Sequence, residues 1–452
     1  MKLKQLFLKN FRGFRQFECE FGPGINVLVG LNGQGKTSIL DAISIAYGQF
    51  FTALGTGIDR GVHDNEIHLA KHILEDADDT FTMEYQFPVT ISCTTWQGGP
   101  GEFPESWSRV RNTLKGRTTQ VKSLKDFAKK LQKDVQDNKP AELPLFGYYG
   151  TGRLWKQKKL SSVKVASLSK SSRFEGYRDC MDPESSYAAF AVWLRDETIA
   201  ELERKMKILE ESGLSDALVS GNTLRSRLLR AITTAVNTVL QPSGWSNIRY
   251  SATAKEIIAS HPEQGNVPVS MLSDGVRNMV GMVADIAYRC VRLNSHLQEN
   301  AVVKTQGMVL VDEVDMHLHP QWQQLVLQNL GAAFPGLQFI VTTHSPQVLT
   351  TVRKEQILIL GQHTAHKPLG NTFGEQSHYV LTQVLGVDTR PPLNHSDMLK
   401  EYFVMIESGM GKSAQALALR AQLQEMMGEH HSDLAAADRA IQRKEFLGKC
   451  AE

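Results

Sequence analysis

The residues Gly30-Leu-Asn32-Gly33-Gln-Gly35-Lys36-Thr37-Ser38 follow the order Gly-x-x-x-x-Gly-Lys-Thr, which sets a cation and two hydroxyls directly behind three glycines. Such a composition suits phosphate. Glycine lets the backbone turn tightly enough for successive N–H groups and a helix N-terminus to face an anion. Asn32, Gly33, Gly35 and Ser38 would then surround the phosphates of a nucleotide, Lys36 would reach the terminal ones, and the Thr37 hydroxyl would ligate Mg²⁺. A glycine-rich turn with a surface lysine is the structural alternative, and the rest of the chain decides between them.

Three further clusters supply the remaining chemistry. Met308-Val-Leu-Val-Asp312-Glu313 is an apolar run ending in two acids, of which Asp312 is placed to hold Mg²⁺ and Glu313 to orient a water for attack on the γ-phosphate. Leu272-Ser273-Asp274-Gly275 opens a helix, where a serine and a glycine can bind an anion as readily as they cap. Val341-Thr-Thr-His344-Ser sets an imidazole after a second apolar run, within reach of a γ-phosphate. Each has a plain structural reading of its own: a solvated turn, a helix cap, a histidine at a strand end. Their order along the chain is what carries weight.

Elements must position these groups. Ile25–Val29 reads as the strand before the glycine loop and Ser38–Tyr47 as the helix after it, while Met308–Val311 and Leu337–Val341 read as buried parallel strands separated by a helix over Gln321–Phe334. Leu3–Leu8 and Gln16–Phe21 alternate as half-buried antiparallel strands. From about Phe50 to Pro140 periodicity is poor, apart from a lysine-rich helix over Val121–Val135; strand Leu145–Tyr149 follows. Ile199, Leu202, Met206 and Leu209, then Leu224, Leu228, Ile232 and Val236, predict a helical hairpin packed on the core, with a break at Gly213–Gly221. A β-like stretch to Val269 and a helix over Asp274–Arg292 precede the acids, and two or more helices from Asp397 to Leu447 close the chain.

The 452 residues exceed a single typical core, and 41% apolar with 22% charged residues describes an ordinary globular protein. The net charge of +2 is unevenly spread: Arg109–Arg178 holds 18 Lys or Arg against 5 Asp or Glu. This window is either solvated surface or a contact for nucleic acid or an acidic partner. Five scattered cysteines without a Cys-x-x-Cys pair argue against a disulfide framework and a zinc cluster, and no apolar run reaches membrane-spanning length. A cytoplasmic location is expected.

In the order of these clusters the chain resembles the ABC-type ATPase heads of the structural-maintenance-of-chromosomes (SMC), Rad50, RecF and OLD group, over Met1 to about Thr350. The resemblance implies an α/β fold: a P-loop parallel sheet with an antiparallel β subdomain, a short helical hairpin replacing the coiled coil, and a C-terminal helical region. The corresponding segments are 1–145, 146–250, 251–360 and 361–452. It further implies that Gly30–Ser38 is Walker A, Ser273 with Gly275 the signature, Asp312 and Glu313 Walker B, Asp315 the D-loop and His344 the switch histidine. Two subunits would sandwich two ATP molecules, so a homodimer or higher homo-oligomer is implied. The glutamine loop is placed only to Tyr149–Lys159, with Arg153 and Gln157.

Leu143–Arg153, Met271–Arg277 and Val311–Pro320 look more specifically like the ATPases of bacterial Septu and retron anti-phage systems. That likeness implies a separately encoded HNH endonuclease, PtuB-like, as partner; the alternative is a RecF- or SMC-like ATPase acting directly on DNA through 109–178. No Asp-x-Asp pair follows His344 and no HNH pattern occurs, so the chain is expected to lack its own nuclease. Gly409-Met-Gly-Lys412-Ser413 imitates a second phosphate loop, but Ile406 replaces its first glycine. The C-terminal stripe Leu417, Leu419, Leu423 and Met426 is expected to serve assembly or partner docking, the alternative being that it packs on its own head domain.

Overall fold

The structure is a computed structural model and describes residues 1–56, 60–73, 81–97, 103–153, 172–184, 188–212, 223–361, 364–388 and 393–451. Strands β1 (Leu3–Phe11) and β2 (Phe14–Glu20) form a hairpin, and β3 (Ile25–Val29) runs into the glycine loop and helix α1 (Lys36–Ala53). Nearly every residue of α1 after its first turn is buried, which is why its sequence is apolar on all sides.

The region of poor periodicity contains five strands, β4 (Leu69–Ile73), β5 (Phe81–Tyr85), β6 (Val89–Thr95), β7 (Ser106–Arg111) and β8 (Arg117–Gln120). None of these five had a sequence signal, and in β7 the reason is that polar residues take inward positions. In β7 the buried alternation runs Trp107, Arg109, Arg111. Both arginines are satisfied by carbonyls: Arg109 donates to Ile45 and Arg60 at 2.8 Å each, and Arg111 to Val62 at 2.9 Å. The resulting antiparallel sheet has the order β2-β1-β6-β7-β8.

Helix α2 (Lys122–Gln136) packs on α1 through Leu124, Ala128 and Leu131 and leaves its lysines outward. Strand β9 (Leu145–Tyr149) follows, then helices α3 (Ala188–Ser212) and α4 (Leu224–Leu240). Strands β10 (Ser246–Ser251), β11 (Glu256–His261) and β12 (Gly265–Pro268) make a three-stranded antiparallel sheet that leads into α5 (Asp274–Leu293). Strands β13 (Gly307–Val311), β14 (Leu337–Thr342), β15 (Ile357–Leu360) and β16 (Ala365–His366) complete the main sheet, ordered β16-β15-β3-β14-β13-β9. It is parallel except at β16.

Two boundaries differ from expectation. All five residues of β9 are buried and pair with β13, so a division at 145/146 would cut the main sheet. The C-terminal region begins at Gly386 rather than at 361, since Met1–Leu385 packs as one unit and Gly386–Glu452 as another. The expected helix Gln321–Phe334 is two shorter ones, Pro320–Gln323 and Val326–Ala333, because the Leu325 N–H turns back to the Trp322 carbonyl. The second unit holds helices α6 (Asn394–Glu407), α7 (Ala414–Met427) and α8 (Ser432–Ala451) around Leu399, Tyr402, Ile406, Ala416, Leu423 and Leu434. Leu423 is therefore core, whereas Leu417 and Met426 of the same expected stripe are exposed.

Gln338, buried in β14, joins the two large sheets. Its amide donates to the Leu3 and Gly22 carbonyls at 2.7 Å each, and its oxygen accepts from the Leu3 N–H at 2.7 Å. Gln338→Leu takes this partner from the buried Leu3 N–H and carbonyl, while the Gly22 carbonyl keeps the Asn26 amide at 2.9 Å, and urea denaturation followed by tryptophan fluorescence should show a loss of about 2–4 kcal/mol.

Candidate nucleotide site

Register explains the meeting of distant residues. Val311 lies opposite Val341 and Tyr149, and Val341 opposite Val27, so β9, β13, β14 and β3 end along one edge of the sheet. That edge, at the carboxyl ends of parallel strands, is where such sheets bind ligands. Gly33 and Gly35 take positive φ of 82° and 88°, and a Cβ at Gly35 would lie 2.4 Å from the Phe14 ring. Glycine is obligatory there on both counts.

Lys36 folds back over the loop and donates to the Gly30 carbonyl at 2.8 Å and the Leu31 carbonyl at 3.1 Å. Burial lowers the pKa of its ammonium, opposed by the Asp312 and Glu313 carboxylates. Thr37, on the solvent side of α1, donates its hydroxyl to Asp312 Oδ2 at 2.8 Å. The other oxygen of Asp312 accepts from the Thr342 hydroxyl at 2.5 Å, and that hydroxyl accepts from the Glu313 N–H at 2.7 Å. A hydroxyl and a carboxylate on adjoining elements are hard oxygen donors of the kind Mg²⁺ takes, so these residues fit the metal.

Glu313 is partly exposed and has a left-handed φ of 49°, a conformation unfavourable for a side chain of its size. Arg153 holds it there. Standing in the turn after β9, its guanidinium donates to the carbonyls of Asp312 and, at 2.6 Å, Glu313, and also to Gly150 at 2.9 Å. Burial brings this guanidinium down to about 10, while Asp312, Glu313 and Asp315 hold it up. Asp315 in turn accepts from the Thr343 hydroxyl at 2.5 Å.

Asn32, Gly33 and His344 are exposed and Ser38 partly so. Ser273 is the N-cap of α5, but its side chain makes no capping bond and faces solvent. Gly275 is buried: a Cβ there would come within 2.2 Å of the His317 carbonyl, so glycine lets the signature helix approach the turn after the acids. No hydrogen bond joins Ser273 or His344 to the glycine loop among the described residues. Gln157 lies outside the described residues. The look-alike Gly409–Ser413 joins α6 to α7, and Ser413 caps α7 through the Ala416 N–H.

The residues without a sequence signal are Thr342, which bridges both acids, and Arg12. In the β1–β2 turn, Arg12 lies 2.7 Å from Asp41 and from Glu66 and 3.4 Å from the Ser38 hydroxyl. Arg60 crosses the same two acids at 2.8 and 3.4 Å, and the Tyr148 hydroxyl donates to Asp41 at 3.1 Å. Ion pairs distant in sequence leave no local pattern to find.

Among the described residues Arg153 hydrogen-bonds only backbone carbonyls at the catalytic turn, so its loss should displace Glu313 without touching the phosphate loop. Arg153→Ala should lower ATP turnover by about 10- to 100-fold with the Kd for ATP nearly unchanged, and Arg153→Lys should recover part of the loss, read by steady-state kinetics beside equilibrium binding.

The AAA domain family matches residues 5–212, and a second AAA domain family, whose description also names the AbiEii toxin and Type IV TA systems, matches 169–350. The "Retron Vc95 probable ATPase" of Vibrio cholerae is 26% identical, covering 90% of this chain and 84% of the relative. The "Retron Ec83 probable ATPase" of Escherichia coli is 25% identical, covering 98% and 87%. "Septu protein PtuA" of Bacillus thuringiensis is 28% identical over 33% of this chain and 40% of its own. With the glycine loop, acids and strand order already in place, the chain is an ATPase, similar to the retron ATPases over most of its length and to PtuA over a third of it.

Proposed function

We propose that this ATPase is the regulatory subunit of an anti-phage defence complex and uses ATP to control a separately encoded HNH endonuclease in the cytoplasm. The likeness to retron and Septu proteins supports the defence role, and the convergence of Lys36, Thr37, Asp312 and Glu313 on one sheet edge carries the chemistry. Among the described residues no helix is long and apolar enough to cross a membrane.

In this mechanism Lys36 leaves its two loop carbonyls to bind the β- and γ-phosphates, with the N–H groups from Asn32 to Ser38 around them. Thr37 and Asp312 would hold Mg²⁺, which would offset phosphate charge. Glu313, fixed by Arg153, accepts a proton from the attacking water. His344 hydrogen-bonds the γ-phosphate from the end of the neighbouring strand. Ser273 and the N-terminus of α5 act on ATP held by the partner subunit, in keeping with a hydroxyl that serves no cap of its own. Asp315, which accepts from the Thr343 hydroxyl, serves as the D-loop residue. The second unit, 386–452, serves assembly or nuclease docking.

A direct action on DNA is the second reading. It is favoured by Lys122, Lys129, Lys130 and Lys133, all exposed on the outer face of α2 within the basic window. The remainder of that window includes 154–171, outside the described residues.

Two experiments test the first reading. Lys36→Ala should lose tight ATP binding, whereas Glu313→Gln should bind normally and turn over at a rate lower by about 10²-fold or more, as transition-state interactions of this kind are worth. Wild-type turnover by Glu313→Gln would reject the assigned acid.

Ser273→Arg should hydrolyse poorly although its monomer still binds ATP. Mixed with Lys36→Ala it should regain activity through one intact interface per dimer. Verified mixed dimers without recovery would reject the shared site.

A further inference from the structure

Helix α3 changes character along its length. Its first turns carry Phe190, Trp193 and Leu194 into the core, where Trp193 and Phe190 meet Tyr288 at ring distances of 5.3 and 6.4 Å. Beyond Asp196 the logic inverts. The face turned to α4 bears acids: Glu197, buried, pairs with Arg225 at 2.8 Å, and Glu201, also buried, accepts from Thr223 at 3.2 Å and pairs with Arg204 at 3.3 Å.

The apolar residues point the other way. Ile199, Leu202, Met206 and Leu209 are 36, 45, 63 and 45% exposed. At 3.6 residues per turn this stripe is centred roughly 150° from the Glu197–Glu201 face. A surface helix normally turns such a stripe to its own core, and a contiguous apolar strip in water marks a contact.

Their spacing is three, four and three, the a and d positions of two heptads: Ile199 and Met206 at a, Leu202 and Leu209 at d. In a parallel arrangement, Ile at a with Leu at d favours two strands over more. In the same register Lys205 falls at g, Glu203 and Glu210 at e. A parallel pair of copies sets Lys205 against the partner's Glu210 on both sides, whereas an antiparallel pair sets like charges together. Among the described residues neither Lys205 nor Glu210 has an ion-pair partner in its own chain.

We propose that the outward stripe of α3 is a self-association surface, occupied by the same stripe of a second copy in parallel register. The inference rests on the homodimer proposed above, whose two-fold symmetry a parallel pair shares. Two heptads are too short to associate alone, so the contact forms once joined heads hold the two α3 helices at high effective concentration. It makes head engagement and α3 pairing one cooperative event.

Cross-linking tests this in the full chain carrying Glu313→Gln and Cys450→Ser. The four described cysteines, Cys19, Cys93, Cys180 and Cys290, are all buried. With ATP and mild oxidation, Met206→Cys should give a covalent dimer and Lys207→Cys should not. Leu202→Asp with Met206→Glu should weaken ATP-dependent dimerisation by about tenfold in sedimentation while ATP binding is unchanged, as for loss of a small apolar contact. Lys205→Glu should weaken it too, and adding Glu210→Lys should restore it. A chain that dimerises with ATP in a Ser273-dependent way yet leaves Met206→Cys unlinked overturns this inference alone. A chain that stays monomeric with ATP overturns it together with the shared-site reading.

Discussion

The carboxylate of Asp312 is the constraint on which the site depends. One oxygen takes the Thr37 hydroxyl from α1 and the other the Thr342 hydroxyl from β14, so one buried anion fixes the spacing of three elements far apart in sequence. Thr342 then passes the order on: its hydroxyl receives the Glu313 N–H and its carbonyl the Val314 N–H. Because hydrogen bonds to a charged acceptor are about twice as strong as neutral ones, this single carboxylate ties the glycine loop firmly to the acidic turn.

A second layer of charge supports the first. Arg12, Arg60, Asp41 and Glu66 alternate in sign around the first turns of α1, each arginine between the two acids. Leaving one of these acids buried without its partners would cost several kcal/mol, so the network opposes any sliding of the β1–β2 hairpin over the loop. Further along α1, the Trp107 indole and the Arg109 guanidinium donate to the Ala46 and Ile45 carbonyls at 2.9 and 2.8 Å. The helix that begins at Lys36 is thus held at successive turns by polar contacts to one antiparallel sheet.

What the sequence discloses follows the range of the forces involved. The glycine loop, the apolar strands of the main sheet and helix α5 are legible because local conformation and burial on both faces write themselves into consecutive residues. Strand β7 is not, since its inward arginines read as surface until the carbonyls of Ile45, Arg60 and Val62 are brought to them. Arg153 shows the intermediate case: its neighbourhood could be placed after strand β9, but its grip on the carbonyls of Asp312 and Glu313 depends on the pairing of β9 with β13. The C-terminal stripe is legible as helix only; which of its leucines turn inward is set by the packing of three helices on one another.

The posture of Lys36 sets a threshold for entry. Its ammonium already spends two hydrogen bonds on the Gly30 and Leu31 carbonyls, so an incoming anion competes with the loop itself for the cation. A singly charged or poorly aligned anion offers little more than those carbonyls do, whereas a polyphosphate offers several oxygens at once and releases the carbonyls to solvent. The loop therefore acts as its own placeholder ligand. By this means it discriminates against the abundant simple anions of a cell before any shape recognition of the nucleotide begins.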